Sequence, residues 1–129
     1  MKVLLDTHAF LWSVTDDPQL SALAKETIAN PENIILFSVV SAWEIIIKQG
    51  TGKLTLPEPA ETYIPSRLEA NQFSTLPVNL SHVLQVASLP ALHRDPFDRL
   101  LVAQSQVEAI PIISVDQFVK QYPVTVIWS

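Results

Sequence analysis

The chain has 129 residues, of which 48% are hydrophobic and only 16% charged, and its formal net charge is −5. That length can bury a sizeable core in one domain, and the mean hydropathy of +0.26 leaves apolar surface to spare for a partner. The lack of cysteine excludes disulfides, thiolate zinc sites and cysteine nucleophiles, and the missing basic stripe argues against tight, non-specific duplex binding.

The chain opens with MKVLLDTHAFLW. Its apolar run is too short for a secretory signal, and no stretch approaches the roughly 20 apolar residues of a membrane helix. A soluble, cytoplasmic protein is expected, with no membrane partner. Lys2–Leu5 reads as a first strand closed by Asp6. Thr7–Val14 follows as a helix, broken by Asp16, Asp17 and Pro18. Ser21 is an N-cap for a second helix, Ala22–Asn30, which Pro31 ends. Ile34–Phe37 is the second strand. Ser38 or Ser41 starts a helix through Gln49, with Gly50 expected as its left-handed end.

Gly50–Pro59 is turn-rich, and Ala60–Asn71 is helical despite Pro65. Ser74–Val78 is a third strand. Ser81 caps a helix through Ser88, and Leu89–Asp95 is a loop. Pro96–Glu108 has strong helix signals: Asp95 at the N-cap, Pro96 at the first position, Asp98 in the first turn. Pro111–Ser114 is a fourth strand, Gln117–Tyr122 a short helix, and Val124–Trp128 a last strand. Short apolar strands alternating with helices predict an α/β fold whose mostly parallel sheet is covered on both faces. Residues 1–129 show no linker, repeat or low-complexity segment and read as one domain.

Open sheets of this kind build sites at the carboxyl ends of their strands. Four acids fall there. Asp6 ends the first strand, Glu44 lies in the helix after the second, Asp98 opens the helix that leads into the fourth, and Asp116 follows the fourth. Crowded carboxylates raise one another's pKa unless a cation neutralises them. A hard divalent ion takes oxygen ligands and suits phosphodiester chemistry. Each acid also has an ordinary structural reading. Asp6 and Asp116 can cap helices, Asp95 and Asp98 mark a helix start, and Glu44 pairs with Lys48 at i,i+4. Glu44 is the odd one, because its helix is apolar nearly all round.

The strings LLDTHAFLW (4–12), SAWEIIIKQGTGKLTLP (41–57), HRDPFDRLLVAQ (93–104) and ISVDQF (113–118) resemble the PIN-domain family, and within it the VapC-type toxins of type II toxin–antitoxin systems. The resemblance runs from first strand to last, with no specific match over Glu58–Asn79. It implies a three-layer α/β/α sandwich with a central sheet of about five strands. It also implies Mg²⁺- or Mn²⁺-dependent ribonuclease activity, a cognate antitoxin and a homodimer. Asp6, Glu44, Asp98 and Asp116 match the family's acids. Thr7, Asp95, Arg99 and Ser114 stand beside them as supporting residues, with Asp95 the cap of its turn and Arg99 a group for a carboxylate or a phosphate.

His8 and His93 read as local hydrogen-bonding residues, since metal-activated water needs no histidine base. GTGK (50–53) is no P-loop, because Ile47 and Leu54 replace the glycine and the hydroxyl residue that motif requires. Trp12, Trp43 and Trp128 read as core or interface. Lys48, Lys53, Arg67, Arg94 and Arg99 are the few cations available to an RNA cleft, which fits modest affinity or a selective substrate. The alternative is a catalytically inactive PIN-like binding or regulatory subunit, against which the intact acids speak. A phosphoacceptor domain would need an acid after the third strand, where Leu76-Pro77-Val78 stands.

Overall fold

A computed structural model describes residues 1–129. Five strands form one parallel sheet: β1 (Lys2–Leu5), β2 (Ile34–Ser38), β3 (Ser74–Leu76), β4 (Ile112–Ile113) and β5 (Val126–Ile127), in the order β3-β2-β1-β4-β5. Six helices join them: α1 (Thr7–Val14), α2 (Ala22–Ala29), α3 (Val39–Gly50), α4 (Ala60–Asn71), α5 (Leu80–Val86) and α6 (Pro96–Glu108). Strands with apolar residues on both faces require two apolar covers. Val3 and Leu5 point into a cluster with Phe10 and Ala24 and with Tyr63 and Ile64 from α4. Leu4 points the other way, to Leu101, Val102 and Ala103 of α6. The period-2 alternation of one buried strand thus makes the three-layer α/β/α sandwich.

Several boundaries differ from the sequence expectations. Ser38, not Ser41, caps α3, accepting from the Val40 amide at 3.0 Å. Gly50 is still helical, because the Thr51 amide continues the ladder to the Ile47 carbonyl. The left-handed glycine is Gly52, with φ +76, which lets the amides of Lys53 and Leu54 turn back onto the Lys48 carbonyl. α5 starts after Asn79, not Ser81, and the Asn79 amide donates to Nδ1 of the buried His82. β3 stops at Leu76, before Pro77, which lacks the amide a ladder needs. The expected Gln117–Tyr122 helix is a 3-10 turn over Val119–Gln121.

The sheet order reverses at β1: its sequence successor β2 lies on one side and β4 on the other. Leu5 is in register with Ile113, and the Asp6 amide bonds to the Ile113 carbonyl at 3.1 Å. The carboxyl ends of β1 and β4 therefore meet where the chain departs in opposite directions, the place where such sheets open a crevice.

Candidate active site

A cleft of about 300 Å³ opens at this switch point, and Asp6, Glu44, Asp95, Asp98 and Asp116 all line it, with Thr7, His8, Lys48 and His93. Asp6 caps α1, one oxygen accepting from the Ala9 amide at 2.7 Å. That cap fixes the side chain beneath the cleft, and Asp6 is only 5% exposed. Burial pushes its carboxyl up to about 6, against the pull of the Ser114 hydroxyl, the Ala9 amide and His8.

Glu44 reaches the cleft from α3. It is 3% exposed and satisfied on both oxygens. Thr7 donates to Oε1 at 2.6 Å, and Lys48 donates to Oε2. Burial opposes the Lys48 charge, but Glu44, Asp95 and Asp98 outweigh it and hold the ammonium above its ordinary pKa. The Ser41 hydroxyl lies 2.9 Å from that of Thr7, so the serine that does not cap α3 completes this chain of contacts.

Asp95 caps α6, accepting from the amides of Phe97 and Asp98 at 2.8 and 3.2 Å. Asp98 is pushed up to about 7, first by burial and then by the charges of Asp95, Glu44, Asp6 and Asp116. Asp116 uses Oδ1 to accept from the amides of Phe118 and Val119 at 2.8 and 3.1 Å. Its Oδ2 is turned to the cleft, 3.4 Å from Nε2 of His93, which also lies 2.9 Å from Oδ2 of Asp98. Buried Ser114 accepts from the Asp116 amide at 3.1 Å and thereby links Asp116 to Asp6.

The sequence model of the PIN domain matches residues 3–124. The chain belongs to the PIN-domain family. This PIN domain is 39% identical over 69 residues to a protein named ribonuclease VapC16 from Mycobacterium tuberculosis, a match covering 50% of this chain and 49% of that protein. The chain thus spans about half the length of the curated relative it matches. Its fold is that of solved chains at low identity. With the crystal structure of VapBC2 from Rickettsia felis bound to a promoter DNA fragment, the TM-score is 0.73 at 14% identity, covering 98% and 97% of the two chains. With VapBC-1 from nontypeable Haemophilus influenzae it is 0.64 at 16%, covering 98% and 96%. With FitAcB from Neisseria gonorrhoeae it is 0.63 at 16%, covering 96% and 95%.

The PIN fold brings Asp6, Glu44, Asp98 and Asp116 into one cleft, with Thr7, Asp95 and Ser114 bonded beside them. Arg99 is turned elsewhere. Its guanidinium donates to the carbonyls of Val86, Leu89, Pro90 and His93 and to the Tyr122 hydroxyl, all on the loop side of α6. It holds the loop before α6 and touches neither a carboxylate nor the cleft. Of the cations expected to serve the cleft, Lys48 lines it; Arg67 instead pairs with Glu58 and lies over the Tyr63 ring.

Two residues matter more in the folded cleft than their sequence positions suggest. Lys48 had the look of a surface i,i+4 partner, yet its carboxylate is buried. His93 read as a local hydrogen-bonding residue, yet its ring reaches both Asp98 and Asp116.

Proposed function

We propose that this PIN domain is a Mg²⁺- or Mn²⁺-dependent endoribonuclease, the toxin of a toxin–antitoxin pair, with residues 1–129 as a single nuclease domain working in the cytoplasm. One observation carries the reading: four acids from distant parts of the chain share a small cleft in which burial and mutual repulsion push Asp98 up to about 7. Such an arrangement is unfavourable by itself and becomes favourable when a cation enters. The donors are carboxylate oxygens, the set that Mg²⁺ and Mn²⁺ accept.

Asp6, Glu44, Asp98 and Asp116 would hold the ion. When bound, it supplies a water of lowered pKa and positive charge for the phosphate oxygens. The chain's own groups do the rest. The cap at Asp116 leaves its second oxygen facing the cleft, and Thr7 fixes the Glu44 carboxylate. Lys48 contributes a positive charge at the cleft wall for a phosphate. The name of the ribonuclease relative supports RNA as substrate.

The shared fold with VapBC2 and VapBC-1 supports an antitoxin partner. A homodimer is supported by α3, where Val39, Trp43, Ile46 and Ile47 form an exposed apolar stripe at helical spacing. No helix is long and apolar enough to cross a membrane.

The test is incubation of the purified protein with RNA, with Mg²⁺ or Mn²⁺ and with EDTA. The expected result is cleavage that needs the metal and is lost in Asp6→Asn. Cleavage surviving EDTA, or surviving that substitution, sinks the proposal. An intact protein that binds Mn²⁺ and cuts no RNA favours the inactive binding subunit.

A further inference from the structure

His93 stands closest to two of the carboxylates: its Nε2, an oxygen of Asp98 and an oxygen of Asp116 all lie within 4.8 Å of one another. By distance alone it could be a third metal ligand. Its other nitrogen argues against that. The Asp95 amide donates to Nδ1 at 3.3 Å, so Nδ1 must carry a lone pair. In the neutral ring the proton then sits on Nε2, where it points at Asp98 Oδ2 at 2.9 Å and Asp116 Oδ2 at 3.4 Å. Coordination through Nε2 would move that proton to Nδ1, against the Asp95 N–H.

The ring and the loop that carries it have further partners. The Phe118 ring lies against it at 4.9 Å between centroids. The His93 amide donates to the Tyr122 hydroxyl at 3.0 Å, and that hydroxyl donates to the Pro90 carbonyl at 3.0 Å. Arg99 donates to the carbonyls of Pro90 and His93. A guanidinium and a buried tyrosine therefore clamp the loop that carries one imidazole.

We infer that His93 is a positioning residue of the metal cleft: its Nε2–H, locked by the Asp95 amide and the Arg99–Tyr122 clamp, bridges Asp98 and Asp116 and holds them at the spacing the ion needs, without itself binding the ion. The inference rests on the proposed metal-nuclease reading. Partners that orient ligating groups in this way are typically worth about 10–100-fold in metal affinity.

The experiment is Mn²⁺ binding by calorimetry and pulsed electron paramagnetic resonance on the full chain. The wild-type Mn²⁺ signal should show no directly coordinated nitrogen. His93→Ala should weaken Mn²⁺ binding about tenfold or more. His93→Gln should recover most of that loss, because its amide restores an N–H donor but is a poor ligand. A coordinated-nitrogen signal overturns the inference, as does His93→Gln binding no better than His93→Ala, or His93→Ala binding like wild type. Should the alanine variant not fold, the nitrogen signature of the wild type still decides between donor and ligand. Wild-type protein that binds no Mn²⁺ overturns the metal-nuclease reading, and this inference with it. Normal Mn²⁺ binding with a nitrogen signal overturns the inference alone.

Discussion

Thr7 donates its hydroxyl hydrogen to Oε1 of Glu44 at 2.6 Å, across 37 positions of sequence. The first residue of α1 thus sets the direction of an acid on α3, and both groups are buried. Thr7→Val keeps the shape and removes the donor. A buried carboxylate losing one hydrogen bond costs about 1–3 kcal/mol. Its misorientation should also weaken Mn²⁺ binding roughly 10-fold or more. Thr7→Ser should restore both. Urea unfolding and Mn²⁺ calorimetry on the three proteins check this, and a valine variant indistinguishable from wild type removes Thr7 from the site.

Asp6 and Asp98 should make the metal-free protein less stable as pH rises. Their folded pKa values, about 6 and about 7, lie above the ordinary 3.8. Between the unfolded and folded values the native state holds more protons, so stability declines through that window and is lowest above pH 7. A carboxyl moved from 3.8 to about 6 withdraws roughly 3 kcal/mol by pH 7 if nothing compensates. In EDTA, urea midpoints should fall from pH 4 to pH 7, and Asp6→Asn, whose oxygen can still cap α1, should flatten the fall. Added Mn²⁺ should reverse it at pH 7. A rising or flat wild-type profile contradicts the burial of these charges.

The same carboxylates explain how much of the site was legible beforehand. Capping and metal binding look like rival explanations for an aspartate at a strand–helix junction. Here one oxygen of Asp6 and one of Asp116 cap a turn, and at Asp116 the second oxygen faces the cleft. The cap is how the local sequence aims the carboxylate, so the spacing that suggested a helix start also located the cleft. The layering was legible for a similar reason, since apolar runs of Val, Leu and Ile leave the sheet no solvated face. The role of Arg99 was not legible. Its partners are backbone carbonyls of a loop whose path no residue pattern specifies. His93 was hidden for the same reason: its loop, Leu89–Asp95, has no periodicity to read.

Asp95 and Asp98 can be separated by one pair of substitutions. Asp95→Asn retains an oxygen for the Phe97 and Asp98 amides while removing the charge that, after burial, does most to raise Asp98. Its expected effect is a Mn²⁺ affinity that rises with pH at a lower midpoint than in wild type, because Asp98 ionises more easily. At pH 8 its affinity should stay within a few-fold of wild type. Asp98→Asn should lose binding at every pH. If Asp95→Asn is as damaging as Asp98→Asn, then Asp95 is itself a ligand and its capping role is secondary.

The exposed stripe on α3 gives the last prediction. Val39, Trp43, Ile46 and Ile47 recur at the i, i+4, i+7, i+8 spacing of one helical face, and each is between 38% and 57% exposed. Trp43 is packed edge-on against Phe97, with ring centroids 5.0 Å apart. That contact joins the stripe to the first turn of α6, one residue from Asp98. An apolar face of this kind is unfavourable in water, and pairing two copies through it would cover both. Ile46→Glu, which leaves the Trp43–Phe97 contact alone, should shift the protein from dimer to monomer in sedimentation equilibrium while its far-ultraviolet dichroism is unchanged. Trp43→Ala should do the same and also loosen the start of α6, so its Mn²⁺ affinity should fall further than that of Ile46→Glu. A wild-type protein that is monomeric at all concentrations, or an Ile46→Glu variant that still dimerises, places the dimer contact elsewhere or removes it.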